Sequence, residues 1–413
     1  MLAWTIIIIP PRGTTYKEIA SKGTTFTGTE IFIDPFYIFN KGCFKMSRLK
    51  EVELVSTGVY LPGEPVPFDK IEDVIGRFDK ASPRMQKLID KLRLNVKDLI
   101  GIDQCFFAID PKTKELTEDN TSMAVKAIRN ALEKANMEID KIDCILLANP
   151  LPDQQTPPTT TFIQEELGIE RCAEMEIHSN CTGITKVLQI AFDAIRVGRY
   201  KTVLVVYSQL SSAYLLSRHY NQQIIKTENV LLRWFLSDSA SALILQAKEN
   251  QDSGIRVLEV YNESVGGKLD PAMWFYHGAR NFEYLKAYEK GSHHLGQNYN
   301  IVNLKGPDII ADGFKNLISR ANIDKREINH VLATIPSTML INKGKEAFAS
   351  QISISPDIWF SNISKKGYSG GSSVVIGLDE MIDKNIFKRQ EMLACITIES
   401  SKWMVGGFIL KYL

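Results

Sequence analysis

Apolar and polar positions along this chain follow two rhythms that take turns. In "TSMAVKAIRNALEKA", Ala124, Ala127, Ile128, Ala131, Leu132 and Ala135 recur at helical spacing, which predicts an amphipathic helix. "KIDCILLANP" follows as an apolar run, the pattern of a strand covered on both faces. "GITKVLQIAFDAIRVG" then places Ile184, Val187, Leu188, Ala191, Ala194 and Ile195 on one stripe, with Gly198 as the predicted helix stop. "YKTVLVVYSQ" is the next buried strand. Helices alternating with buried strands predict the α/β class.

The same rhythm is heard twice. "ANMEIDKIDCILLANP" (135–150) is echoed by "ANIDKREINHVLATIP" (321–336), and "FDAIRVGRYKTVLVV" (192–206) by "LDEMIDKNIFKRQEMLACI" (378–396). Two echoes in the same order predict a duplicated α/β unit. The expected halves are 47–248 and 249–413. The second half carries a long aromatic and Gly-containing loop at 263–305, of the kind that covers or lines a site. Residues 1–46 read as an N-terminal extension or the product of an upstream start, because Met46 precedes the first clear strand. "MLAWTIIIIPP" lacks the basic flank and cleavage site of a signal peptide. The alternative is an additional hairpin in "TEIFIDPFYIF".

The chain has 413 residues, is 44% hydrophobic and 23% charged, and carries a net charge of +1. That is enough for a sizeable core, and it gives no electrostatic footprint for nucleic acid or an anionic membrane. No stretch of about eighteen apolar residues predicts a spanning helix. The 6 cysteines are scattered, without metal-ligand spacing, and read as free thiols of a reducing, cytoplasmic compartment. No dinucleotide fingerprint or phosphate loop is present, since "GGSSVVIG" fits neither pattern.

One cysteine stands apart. Cys144 and Cys395 lie inside predicted strands, whereas Cys181 opens a helix, with Gly183 two residues on. A helix start offers free N–H groups and partial positive charge, so a thiol there ionises more readily and serves as an acyl-accepting nucleophile. Its own backbone N–H is a candidate oxyanion donor. Gly183 is expected to let the backbone turn and a ligand approach.

These residues resemble the nucleophile segment of the β-ketoacyl-ACP synthase III family of the thiolase superfamily. The resemblance rests on "HSNCTGITKVLQIAFDAIRVGRYKTVLVV" and the run "IDCILLANPLPDQQTPPTTTFIQEELGIE" before it. "GVYLPGEPV", "FLSDSASALILQ", "EINHVLATIPSTM", "SNISKKGYSGGSSVVIGLDEMI" and "VGGFIL" are similar to further markers, so it spans roughly 47–413. It implies a thiolase-like fold, two duplicated halves in a layered α-β-α-β-α core. It also implies acylation of Cys181 by acyl-CoA or the phosphopantetheine of an acyl carrier protein, with no tightly bound cofactor and no metal. In the family a His and an Asn then assist decarboxylation of a malonyl thioester, and subunits pair as homodimers.

Two of the family's positions depart from the pattern. The His position, in "LATIP", falls on Thr334, and the Asn position, in "NISKKGY", falls on Tyr368. The Gly-rich loop that helps form the family's oxyanion hole reads "SSKWMVGGF". Thr334 and Tyr368 each donate a hydrogen bond, but neither acts as an imidazole base. Ordinary condensation is therefore expected to be impaired, while acylation of Cys181 needs less. His178, three residues before the nucleophile, is a candidate base, with a core histidine as the plainer reading. His277 is placed near the site mouth, His293 and His294 in solvated loop, His330 in a structural role, and Lys402 in an exposed loop. The expected activity is acyl transfer to a carbon, oxygen or nitrogen acceptor, in fatty-acid-like or polyketide-like metabolism. The alternative is a non-catalytic or half-catalytic subunit of a heterodimer with an intact homologue. An unrelated cysteine hydrolase finds no signature. Chain-length selection is expected from residues 155–161 and 263–305.

Overall fold

The computed structural model describes residues 49–248 and 252–413, together with a short antiparallel strand pair, Phe26–Thr27 with Glu30–Ile31. The chain divides into two units at Arg48 and Leu49. Apart from that strand pair, the expectations for residues 1–46 lie outside the described residues.

From Leu49 onward the chain builds a nine-stranded sheet. Its strands are β1 (Glu51–Tyr60), β2 (Cys144–Asn149), β3 (Ala173–His178), β4 (Thr202–Gln209), β5 (Ser239–Lys248), β6 (Ile255–Ser264), β7 (Ile328–Ala333), β8 (Met392–Glu399) and β9 (Met404–Tyr412). The spatial order is β7-β8-β9-β6-β1-β5-β4-β2-β3. From the β1–β6 seam outward, each half repeats one plan. An antiparallel pair comes first (β1/β5, β6/β9), then another (β5/β4, β9/β8), then a parallel pair (β4/β2, β8/β7). The strands of the two sequence echoes, β2 and β4 against β7 and β8, occupy equivalent places.

Six helices layer this sheet: α1 (Asn120–Ala135), α2 (Thr159–Glu166), α3 (Gly183–Arg196), α4 (Tyr299–Ala321), α5 (Thr338–Ile352) and α6 (Ser372–Asp383). Helices α3 and α6 form the middle layer. Their Val187, Leu188, Val375 and Leu378 share one core with Leu146 and Val205 of one half and Cys395 and Phe408 of the other. Helices α1 and α2 cover the outer face of the first half, and α4 and α5 that of the second. The result is the α-β-α-β-α stack. It explains why β2 is apolar from Cys144 to Ala148. Cys144, Leu146 and Ala148 face the middle layer, while Ile145 and Leu147 face α1 and α2.

Local chemistry sets the helix ends. Asp119 and Ser122 form a capping box at the start of α1, with bonds of 2.7 and 3.1 Å. Gly198, at φ +77°, follows the end of α3 as the periodicity predicts. The run 263–305 is not a bare loop. β6 extends to Ser264, Met273–Trp274 pairs with Gly296–Gln297, Tyr284–Lys290 is helical, and α4 already begins at Tyr299. Aromatic residues there pack on neighbouring rings, as Phe275 does on Tyr214, and that packing orders what looked like a loop. Two further insertions, around 66–109 and 215–236, share a separate apolar cluster that includes Phe68, Trp234 and Phe235.

Strand β1 and helix α1 meet at Gly58. A Cβ there would stand 2.2 Å from the Ala127 carbonyl oxygen and 2.5 Å from the Ala131 nitrogen, both backbone atoms that cannot swing away. Gly58→Ala is therefore expected to cost about 1–3 kcal/mol, as overpacking does. Chemical denaturation checks this, and an unchanged midpoint would contradict the packing described.

Candidate active site

Strand β3 ends at His178, the chain turns through Ser179, Asn180 and Cys181, and α3 begins at Gly183. A Cβ on Gly183 would lie 2.9 Å from Ala148 Cβ and 3.1 Å from the Tyr207 ring. This glycine thus lets the first turn of α3 press on β2 and β4, which corrects the expectation that it admits a ligand. The second half supplies the opposite wall. The segment entering α6 passes so close that a Cβ on Gly371 would stand 3.1 Å from the Cys181 carbonyl oxygen. Tyr368, four-percent exposed, places its phenol 3.0 Å from the Cys181 sulfur.

The thiol opens on a cavity of about 720 Å³. One side is aromatic, with Tyr214, Phe235 and Phe275. The other runs under α4 and α5, past Val302, Gly306, Ile310 and Leu340. Gly306 is buried, yet a Cβ built on it would meet nothing within 4 Å, so α4 leaves a bay in the cavity wall. Gln155, Pro271 and residues 273–278 also line the cavity, from the two regions the sequence reading assigned to chain-length selection.

Thr334 lines the cavity and is fully buried. Its Oγ1 accepts the Ile398 backbone N–H at 2.9 Å, which leaves the hydroxyl proton to donate. His178 and His277 both line the cavity but are exposed, so His178 is no core histidine. The other histidines point elsewhere. His330 pairs with Glu391 at 2.9 Å and His219 bonds the Ala213 carbonyl. His294 is buried rather than solvated. It accepts the Asn221 N–H, and burial pushes it down to about 4. His293 bonds the His219 carbonyl oxygen at 2.7 Å. Lys402 is exposed and bonds the Leu269 carbonyl. Among the described residues no group of three or more metal-binding side chains comes together.

The residue that sequence reading missed is Glu399, at the end of β8. It is buried and lines the same cavity. Its Oε2 accepts Thr182 Oγ1 at 2.8 Å and Ser179 Oγ at 3.0 Å, while Oε1 accepts the Ser401 hydroxyl. Ser179 Oγ in turn accepts from Lys186 Nζ at 2.8 Å. A carboxylate in an apolar-looking strand, at a place the family gives no motif, offered no signal beyond its charge. Just beyond it, Trp403 is buried with φ +58°, a left-handed conformation that suits glycine. The loop thus keeps a glycine-like backbone with a bulky side chain, anchored by Nε1 on the Asp270 carbonyl at 2.9 Å.

These surroundings reverse the expected ionisation of the thiol. Cys181 keeps some accessible surface because it faces the cavity, yet protein encloses it. Burial pushes the thiol up to about 12, the Tyr368 hydrogen bond opposes this, and the Glu399 charge adds to it. Desolvation outweighs the helix N-terminus, whose charge Glu399 already offsets. Burial, with the thiol beside it, also pushes the Tyr368 phenol well up, so it serves as a donor. The protein therefore holds a neutral thiol, a phenol and a carboxylate together in an apolar cavity.

Alkylation of Cys181 by iodoacetamide, followed by peptide mass mapping, is expected to keep accelerating above pH 9 without a plateau. Tyr368→Phe is expected to slow it at a given pH, because the bond that favours the thiolate is lost. Glu399→Gln is expected to speed it, because a repelling charge is removed. A plateau below pH 8 would contradict this electrostatic picture.

The family described as 3-oxoacyl-[acyl-carrier-protein (ACP)] synthase III matches residues 175–266, the stretch from β3 through the nucleophile turn to just past β6. A β-ketoacyl-[acyl-carrier-protein] synthase III of Clostridium acetobutylicum is 24% identical over 368 residues, covering 88% of this chain and 99% of that protein. The crystal structure of 3-oxoacyl-[acyl-carrier-protein] synthase III from Aquifex aeolicus superposes with a TM-score of 0.67 at 21% identity, covering 87% of this chain and 100% of that one. A tetronic acid condensing enzyme superposes with a TM-score of 0.72 at 19% identity, covering 87% and 99%. The fold and the turn that carries Cys181 agree with these likenesses: the chain has a thiolase-like fold and is similar to the 3-oxoacyl-[acyl-carrier-protein] synthase III family over the stretch that holds Cys181.

Proposed function

We propose that this protein is an acyltransferase in which Cys181 takes an acyl group from acyl-CoA or an acyl carrier protein and passes it to an acceptor. The observation that carries this reading is the Cys181 sulfur, 3.0 Å from the Tyr368 phenol at the floor of a cavity of about 720 Å³. The apolar walls and the bay at Gly306 suit an acyl chain. In the loading step the Cys181 sulfur attacks the thioester carbonyl. The backbone N–H of Cys181, which lies against the thiol, is the proposed donor to the developing oxyanion. The donor's sulfur leaves with the proton, giving S-acyl-Cys181 and a free thiol.

In this reading Thr334 and Tyr368 stand where the family has His and Asn. The donors that would hold a malonyl enolate are thereby reduced to two hydroxyls, one of them already bonded to the thiol. Decarboxylative condensation is accordingly weak. The edge strand β3 ends the sheet, and it supports the homodimer that the family resemblance implies.

Intact-protein mass spectrometry after incubation with a panel of acyl-CoAs and acyl carrier proteins tests the proposal. A mass gain in the parent, absent in Cys181→Ala, is the expected result, and its size names the donor. No gain with any donor would remove the acyltransferase reading and favour a subunit that lends shape to an intact homologue.

A further inference from the structure

We infer that Glu399 is the base of the transfer step, and that the acceptor is a neutral hydroxyl or amine rather than a carboxylated thioester. The inference rests on the acyltransferase reading and narrows its acceptor.

Among the described cavity-lining residues Glu399 is the sole carboxylate. It is held rigidly, by Ser179 and Thr182 on Oε2 and by Ser401 on Oε1. A carboxylate offers about four acceptor positions. Oε1 has a single partner, so one position on it is open to an incoming proton. The cavity's two histidines are exposed, and the phenol of Tyr368 is a donor. Glu399 is thus the enclosed proton acceptor at this site.

The same charge discriminates among acceptors. A malonyl carboxylate would share the cavity with the like-charged Glu399, and the lysine that lines it, Lys186, is already engaged with Ser179 beside Glu399. A carbon acceptor of any kind also needs its enolate held, and Thr334 and Tyr368 offer little for that. A hydroxyl or amine is different. It gives up its proton only as the new bond forms, which a carboxylate can assist. The acceptor oxygen or nitrogen attacks the carbonyl carbon of S-acyl-Cys181 while its proton passes to Glu399. The tetrahedral adduct then collapses by breaking the C–S bond, whose electron pair leaves on the Cys181 sulfur. The sulfur takes the proton back, and an ester or amide departs. Water is the smallest such acceptor.

The experiment follows the lifetime of S-acyl-Cys181 by mass spectrometry. The full-length protein is loaded with whichever acyl-CoA is accepted, desalted, and mixed with buffer, octanol, octylamine or carboxyl-labelled malonyl-CoA. Octanol or octylamine is expected to shorten the lifetime and yield the matching ester or amide, and malonyl-CoA to release no labelled carbon dioxide. Glu399→Gln is expected to load yet lose transfer and hydrolysis by about 100-fold. Added formate is expected to restore part of the rate in Glu399→Ala, which a purely structural role would not allow. Transfer by Glu399→Gln at the parent rate, or consumption of malonyl-CoA with release of carbon dioxide, overturns the inference. If neither variant folds, the parent's choice between octanol or octylamine and malonyl-CoA decides. Failure of the parent to load counts against the acyltransferase reading instead.

Discussion

Helices α3 and α6 bury their apolar faces between the two halves of the sheet, and the rest of the structure follows from that constraint. A helix packed against both halves of the sheet must be apolar where it touches them and have its polar end satisfied. The middle layer meets the first demand with Val187, Leu188, Val375 and Leu378, which touch strands from both halves. It meets the second at the start of α3, where Thr182 and Ser179 give their hydroxyl hydrogens to Glu399 of the opposite half. The turn that carries Cys181 is therefore held by both halves at once, and neither half contains the cavity alone.

That arrangement accounts for the unusual electrostatics. A helix start favours negative charge, and here a carboxylate already occupies it. Cys181, one residue away from Thr182, finds its local field offset and is desolvated by the protein around it. The thiol stays neutral, with Tyr368 as its polar partner. A site of this kind stores no thiolate in advance. In the proposed acyl transfer, negative charge would form on the sulfur only as it attacks a thioester carbonyl. The left-handed Trp403 belongs to the same economy of space. A backbone turn that glycine makes freely carries a large side chain, at a cost of order 1–3 kcal/mol, and that side chain closes one wall of the cavity.

Much of this was legible in the residues themselves. Helices α1 and α3 and strands β2 and β4 announce themselves by period, because their neighbours along the chain share one environment. The duplicated plan shows in the echo of 135–150 by 321–336, since both copies must end a helix, turn, and enter a buried strand. Cys181 is conspicuous for a local reason too: a thiol at a helix start is visible in any window that contains both.

What the linear order could not decide is who faces whom. Glu399 and Ser179 are separated by 220 positions, and no local pattern marks a strand-end carboxylate as the partner of a distant helix start. Gly183 reads locally as a turn, but its reason is the ring of Tyr207 and the methyl of Ala148 from two other strands. His294 reads as solvated loop until Asn221 and the aromatic rings around it close over it. Period and propensity act within a few residues, so the chain alone determined most of its elements, its duplication and the placing of a cysteine at a helix start. Desolvation and charge pairing act through space, so only the folded stack decided that the thiol would be neutral and that a carboxylate would stand beside it.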